Sequence, residues 1–478
     1  MQRSFVLMLS LSTLAAPAAA ATFTVTTLAD SGPGSLRAAV AAANAAPGGD
    51  TIRFQTGVTG TITLAAEILV SDALVVEGPG PQVLALSGAG AHRILVLDRA
   101  SGTRTTTVLS GLAFEDGHAA DGGAIFAEDE NLVVRNVVFR DNASISRGGA
   151  IRLAAGDLTL EDVAFVGNQA GPGNNDSGGA INHSNGRFRM TRGLVQGNRA
   201  NYGGGFYFGT PAPDVVIEDS AFIDNASYFA GGAINAGTTM PSFRVARSSF
   251  VGNSTREPLG AAISFGGSTS AGSTPGVIEN STFSGNFTPH PGGRGIVAVN
   301  SGTLYLRNST LAYNRTATEG SASAGDGGAV WVGGATLHIE STLFSHNTHG
   351  VDAAFARVDL SPSSSPLRTL NVSRSLLHTT PASGLVNGID IDNLFDADAG
   401  LLPLVVEGQG FAPVHPLPAA SPAIDAGSNP ASLATDQRGP GHPRTVDLVA
   451  CRHPSSARTD VGAYELRTDT IFCHGFEA

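Results

Sequence analysis

Leu132-Val133-Val134-Arg135-Asn136-Val137-Val138-Phe139-Arg140-Asp141-Asn142-Ala143-Ser144-Ile145-Ser146-Arg147-Gly148-Gly149-Ala150-Ile151 is one turn of a phrase that this chain repeats. An aromatic or aliphatic residue is followed three positions later by asparagine, usually shortly before Gly-Gly-Ala. The pair recurs at Phe139/Asn142, Phe165/Asn168, Val195/Asn198, Phe222/Asn225, Phe250/Asn253, Phe283/Asn286, Leu311/Asn314 and Phe344/Asn347, spaced 26 to 33 residues apart. Short strands at that period, with no helical periodicity between them, mark a parallel β-helix in which each coil packs on its neighbours.

Seven and five places before the Phe-like position stand apolar pairs: Leu132/Val134, Leu158/Leu160, Phe188/Met190, Val215/Ile217, Phe243/Val245, Leu304/Leu306 and Leu337/Ile339. Residues two apart on a strand share a face, so these columns point inward together with the Phe column. Four places before it, the outward position carries mixed charges (Arg135, Glu161, Glu218, Glu279, Arg307, Glu340), as a wet sheet surface does. The asparagines are expected to form a structural ladder, each amide bonding its equivalents ~4.8 Å above and below. Gly122-Gly123, Gly148-Gly149, Gly178-Gly179, Gly231-Gly232 and Gly327-Gly328 supply the corner conformations. Length variation collects at 171–177 and 315–326, which predicts loops on one edge.

About ten to thirteen coils at ~4.8 Å each give a stack about 50 to 60 Å long. The expected organisation is a signal segment over 1–20, an N-terminal cap over 21–59, the β-helix over 60–400, a C-terminal cap over 401–466 and a tail over 467–478. Within the first cap, Ser35 is a helix N-cap before Leu36 to Ala43, and Pro47-Gly48 is its stop. Arg3, the apolar run Phe5 to Leu14 and the small residues Ala15 to Ala20 read as a secretory signal, too short to span a bilayer. No later stretch reads as a transmembrane segment, and the expected location is secreted or at the outer cell surface.

All 28 basic residues are arginine and the formal charge is −12, with no basic stripe, which speaks against a nucleic-acid partner. Cys451 and Cys473 are the only cysteines. In an oxidising compartment they are a candidate disulfide; a reactive thiol or lipid-attachment site is the alternative.

The paired Phe-x-x-Asn and Gly-Gly-Ala-Ile phrases over about 114–347 resemble the repeats of the polymorphic outer-membrane protein family of bacteria. That resemblance implies a surface-displayed, single-stranded right-handed parallel β-helix, often adhesive, all-β and of the pectate-lyase-like type. Thr24 to Phe54, with Ser35-Leu36-Arg37-Ala38-Ala39-Val40, is similar to the CSLREA-type N-terminal segment, without the cysteine of that name. Ser421-Pro422-Ala423-Ile424-Asp425-Ala426-Gly427, Asp436-Gln437-Arg438-Gly439 and Asp460-Val461-Gly462-Ala463-Tyr464-Glu465 resemble the choice-of-anchor Q region, which implies a sorting or anchoring role. Asp469 to Glu477 looks like a short terminal sorting tag.

The densest carboxylate run, Asp390, Asp392, Asp396 and Asp398, offers hard oxygen ligands for calcium, but lacks the EF-hand glycine. Glu161-Asp162 and Glu218-Asp219 are sequence neighbours, and neighbours on a strand face opposite ways, against the paired carboxylates that glycoside cleavage needs. Asp425, Asp436, Arg438, Arg444, Asp460 and Glu465 read as an ion-paired terminal cluster. Histidines 118, 183, 290, 338, 346 and 349 show no His-x-x-x-His zinc spacing. Three functions fit: binding of a glycan or cell-surface ligand without turnover, a polysaccharide lyase or hydrolase acting on acidic polysaccharide, and a structural surface-layer component. No cofactor beyond calcium is implied, and catalytic and ligand-binding residues are not marked by linear spacing.

Overall fold

The computed structural model describes residues 20–98, 104–171, 176–316, 327–350, 356–357, 359–362, 368–379, 387–407, 412–445 and 459–466. Residues 1–19 of the expected signal segment, both cysteines, the expected terminal tail and most of the two long insertions lie outside these residues. The chain is a right-handed parallel β-helix: one face is an eleven-stranded sheet and a second a ten-stranded sheet, while the third is wider because most coils contribute two strand segments to it. Every described pairing between strands is parallel except Thr348–His349 with Ala356–Arg357.

The inward columns are where the repeat predicts them. Leu132, Val134, Phe139, Phe165, Phe222, Phe250 and Phe283 are fully buried, and Phe222, Phe250 and Phe283 stack at centroid spacings of 4.8 and 4.6 Å. That spacing is the inter-strand distance itself, so rings in these successive coils stack in direct contact. At the bend three places before the Phe-like position the backbone turns left-handed, at Asn136, Asp162, Arg192, Asp219, Arg247 and Asn280. The leading glycine of each Gly-Gly also has positive φ, for example 64° at Gly148; a Cβ on the following Gly149 would lie 2.1 Å from the Gly179 carbonyl of the next coil.

The ladder residues Asn142, Asn168, Asn198, Asn225, Asn253, Asn286, Asn314 and Asn347 are all buried. From Asn142 to Asn314 each Nδ2 donates to the Oδ1 of the next asparagine at 2.9–3.0 Å. Each of the eight also donates to the carbonyl of the preceding coil's Phe-like residue at 2.8–3.1 Å. The Oδ1 groups accept backbone N–H as well: Asn168 from Asn142 at 3.1 Å, Asn253 from Asn225 at 3.0 Å, Asn286 from Asn253 at 2.9 Å and Asn314 from Asn286 at 3.0 Å. Ladder and backbone therefore saturate one another. Gly117 begins the ladder, donating to Asn142, and the buried carboxylate of Asp359 ends it, accepting from Asn347 at 3.1 Å.

A second ladder runs beside it from Ser220 through Ser248, Ser281 and Ser309, two places before the Phe-like residue, where earlier coils carry Val137 and Val163. Each hydroxyl accepts the backbone N–H of the preceding coil at 3.0–3.3 Å and donates to its own i−2 carbonyl at 2.6–2.8 Å. Helix Leu36–Ala45 forms as expected: Ser35 Oγ accepts from Ala38 N at 3.2 Å, and Leu36, Ala39, Val40 and Ala43 are buried against the first strands.

The described parts of 401–466 run back along the flank as a strap with almost no regular structure. Its Val414, Leu417, Ala423, Val461 and Ala463 pack on outward-facing Ala312, Leu343 and Leu376 in a second apolar core. Polar coil residues tie it down: Ser249 and Gln437 (2.7 Å), Thr282 and Gln437 (2.6 Å), Thr310 and Ala463 N (3.0 Å), Ser341 and Ser428 N (2.9 Å).

Candidate functional site

A groove of about 580 Å³ opens on the flank of the coils carrying Ile151–Leu153, Ile181–His183 and Phe206–Phe208. Along the outward face of that sheet the strand register stacks Phe126, Arg152, Asn182, Tyr207 and Asn235, one per coil. At the neighbouring corner Arg147, Ser177 and Tyr202 stack likewise. The groove lies between these two columns, floored by Arg152 and Asn182 and walled by Arg147, Tyr202 and Tyr207. Gly209 keeps it open at one end, since a Cβ there would lie 2.6 Å from Ser184 Oγ.

Arg152 is only 8% exposed. Its Nη1 donates to Asn182 Oδ1 at 2.6 Å, Leu153 O at 3.1 Å and Ser184 Oγ at 3.2 Å, and Asn182 is held in turn by its Nδ2 bond to Ser177 Oγ at 2.7 Å. All of these acceptors are neutral. Among the described residues no carboxylate forms an ion pair with Arg152, and none lines the groove. Burial and the nearby Arg147 push the guanidinium below its usual pKa, yet an arginine has so far to fall that it stays charged. Asp121 and Glu128 act on it only through space, without an ion pair, so an anion entering the groove offsets part of the cost of desolvating the cation.

Tyr207 and Tyr202 meet edge to face at 6.5 Å, and Tyr202 stacks on Phe229 at 5.0 Å. Burial and the neighbouring Tyr202 raise the Tyr207 phenol, which stays protonated. The walls thus offer flat apolar faces with hydroxyl tips.

The other candidates have structural partners. The eight ladder asparagines spend their amides inside the stack, and Asn168, Asn253, Asn286 and Asn314, like the rest, take no part in lining the groove. Asp162 is bonded by Arg192 at 2.6 and 2.8 Å, which lowers its pKa, and Arg192 also reaches Glu161 at 2.8 Å. Arg244 joins Glu218 and Glu279, and Arg247 binds Asp219 at 2.6 Å. The outward face is therefore an ion-pair lattice between coils. In the strap, Asp436 holds Arg438 at 2.6 Å, Arg438 reaches Glu407 at 3.1 Å and lies 3.8 Å over Tyr464, and Glu465 accepts from Asp460 N at 3.0 Å. Asp460 accepts backbone N–H groups from Asp425 and Leu466, while burial raises its pKa to about 6.

The Asp390 to Asp398 run is spread along the last coil. Asp390 accepts from Asn393 at 2.8 Å, Asp392 is exposed and 3.5 Å from Arg374, Asp396 occupies a left-handed turn, and Asp398 faces His346 at 3.7 Å. Among the described residues Asp398 is brought together with histidines rather than with the other three aspartates. Arg152 carries no repeated signal of its own; the place to look is two residues after each Gly-Gly-Ala alanine. Comparisons with protein-family models and with curated proteins both find no match.

Proposed function

We propose that the chain is an exported or surface-displayed β-helix that binds an anionic glycan in the Arg152 groove without cleaving it. The observation that carries this is the buried Arg152, ion-paired to no carboxylate among the described residues, in a groove that Tyr202 and Tyr207 also line, in a protein of net charge −12. A carboxylate or sulfate on a sugar would complete the guanidinium, and the Tyr202 and Tyr207 rings would take the apolar faces of the adjoining units. The groove volume lies within the ~300–1,000 Å³ usual for ligand sites.

Cleavage is disfavoured by the same contacts. A lyase needs a base at the uronate, and the one buried cation here already spends Nη1 on three acceptors, as a donor only. The acidic run that suits calcium lies on the last coil, away from the groove.

The test is a panel of acidic and neutral polysaccharides, with and without calcium, following retention, new reducing ends and unsaturated uronate ends together. Retention of acidic members without new ends is expected. New ends of either kind would replace this reading with an enzyme, and no retention of any member would favour a structural surface role.

A further inference from the structure

We propose that His346, His378 and Asp398 bind a divalent transition-metal ion of the zinc type, which ties the last coils to the chain leaving them for the strap. The three come from different coils: His346 follows strand Leu343–Ser345, His378 follows Leu376–Leu377, and Asp398 lies just beyond Leu394–Phe395. Coil stacking brings one ligand atom from each within 4.8 Å of the others, and His346 Nε2 lies 3.7 Å from Asp398 Oδ2. Ligands ~2.0 Å from zinc at tetrahedral angles stand about 3.3 Å apart, so the triangle contracts on binding, by rotation of the exposed Asp398 carboxylate and of the two imidazole rings.

The surroundings aim these atoms as outer-shell partners do. Ser345 Oγ lies 2.8 Å from His346 Nδ1, leaving Nε2 for the metal. Gly400 N donates to Asp398 Oδ1 at 2.9 Å, leaving Oδ2. Tyr313 stacks on the His346 ring at 5.2 Å, and the His378 ring lies 4.7 Å from it. Two imidazoles and one carboxylate select zinc-like ions over calcium or magnesium, which prefer all-oxygen sites. The fourth position falls to water. This site is separate from the Arg152 groove and does not depend on it.

The full chain, with Cys451 and Cys473 alkylated, is titrated with Co²⁺ and then with Zn²⁺ against a chromophoric chelator. A single equivalent is expected, with the visible bands of four-coordinate Co²⁺ that Zn²⁺ abolishes. His346→Gln and Asp398→Asn, at positions where folding is retained by circular dichroism, each weaken Zn²⁺ about 100-fold or more, beyond the 10–100-fold cost of a lost outer-shell partner. Ser345→Ala, a positioning change, weakens it less. Bound metal should also slow proteolytic removal of the strap in the parent chain and not in these variants. Unchanged cobalt bands in both variants, or no bound equivalent at micromolar metal, would overturn the proposal.

Discussion

Asn225 makes every hydrogen bond its amide has to make. Truncation to Ala leaves the backbone N–H and the Nδ2 of Asn198 without their shared acceptor inside the stack. At about 1–3 kcal/mol for each orphaned buried donor, Asn225→Ala is expected to cost about 2–6 kcal/mol in chemical denaturation. Asn142→Ala, at the start of the ladder, withdraws an acceptor from Gly117 N alone and should cost less. Equal losses at both positions would argue against a saturated ladder. His183 is a second point of sensitivity. It is buried, with Nε2 2.9 Å from the Gly156 carbonyl, and burial depresses its pKa from 6.5 to about 4. The unfolded chain then takes up a proton below pH 6.5 that the folded chain refuses until about pH 4. Stability present above 6.5 is lost as pH falls across that window, by about 3 kcal/mol in all. A His183→Gln variant should lose that slope in urea midpoints measured from pH 7 to pH 4.

On the scale of the strap the pH dependence has the opposite sign. Asp460 has its pKa raised from 3.8 to about 6, so the docked strap binds a proton that the free segment gives up. Docking is firmest at low pH and weakens as pH rises through 6. Strap cleavage by a protease active over that range should therefore quicken from pH 5 to pH 7 in the parent chain and stay flat in Asp460→Asn. Leu343→Asp, which puts a charge into the second apolar core, should release the strap while leaving far-ultraviolet circular dichroism unchanged. The parallel strands, the inward columns and the asparagine ladder are legible in the sequence because each is repeated coil after coil. The course of the strap is not, since its contacts with Ser249, Thr282 and Thr310 are made once and across more than 150 residues. His346 and His378 escape linear metal spacing for a related reason: a solenoid juxtaposes residues one coil apart, not three or four. Arg152 is hidden because one outward residue in one coil has no period.

For the whole molecule, the uneven distribution of charge decides the functional reading. The wide face pairs its arginines with carboxylates from coil to coil, as in Arg192 with Asp162 and Arg307 with Glu340, and so presents a neutralised surface. In the Arg152 groove Arg147 is paired with Asp121, while Arg152 bonds only neutral groups among the described residues. Parallel stacking places one outward side chain every ~4.8 Å, so Arg152, Asn182 and Tyr207 line the groove as a row across three coils, suited to an extended chain rather than a small compact ligand. The most direct measurement compares the affinity of the protein for one uronic-acid polysaccharide and for the same polymer with its carboxyl groups reduced, in the parent chain and in Arg152→Gln. Binding of the acidic polymer is expected, at least about tenfold weaker for its reduced form and for Arg152→Gln, and weakened by salt. Equal affinity for both polymers, or binding that Arg152→Gln leaves intact, would contradict it.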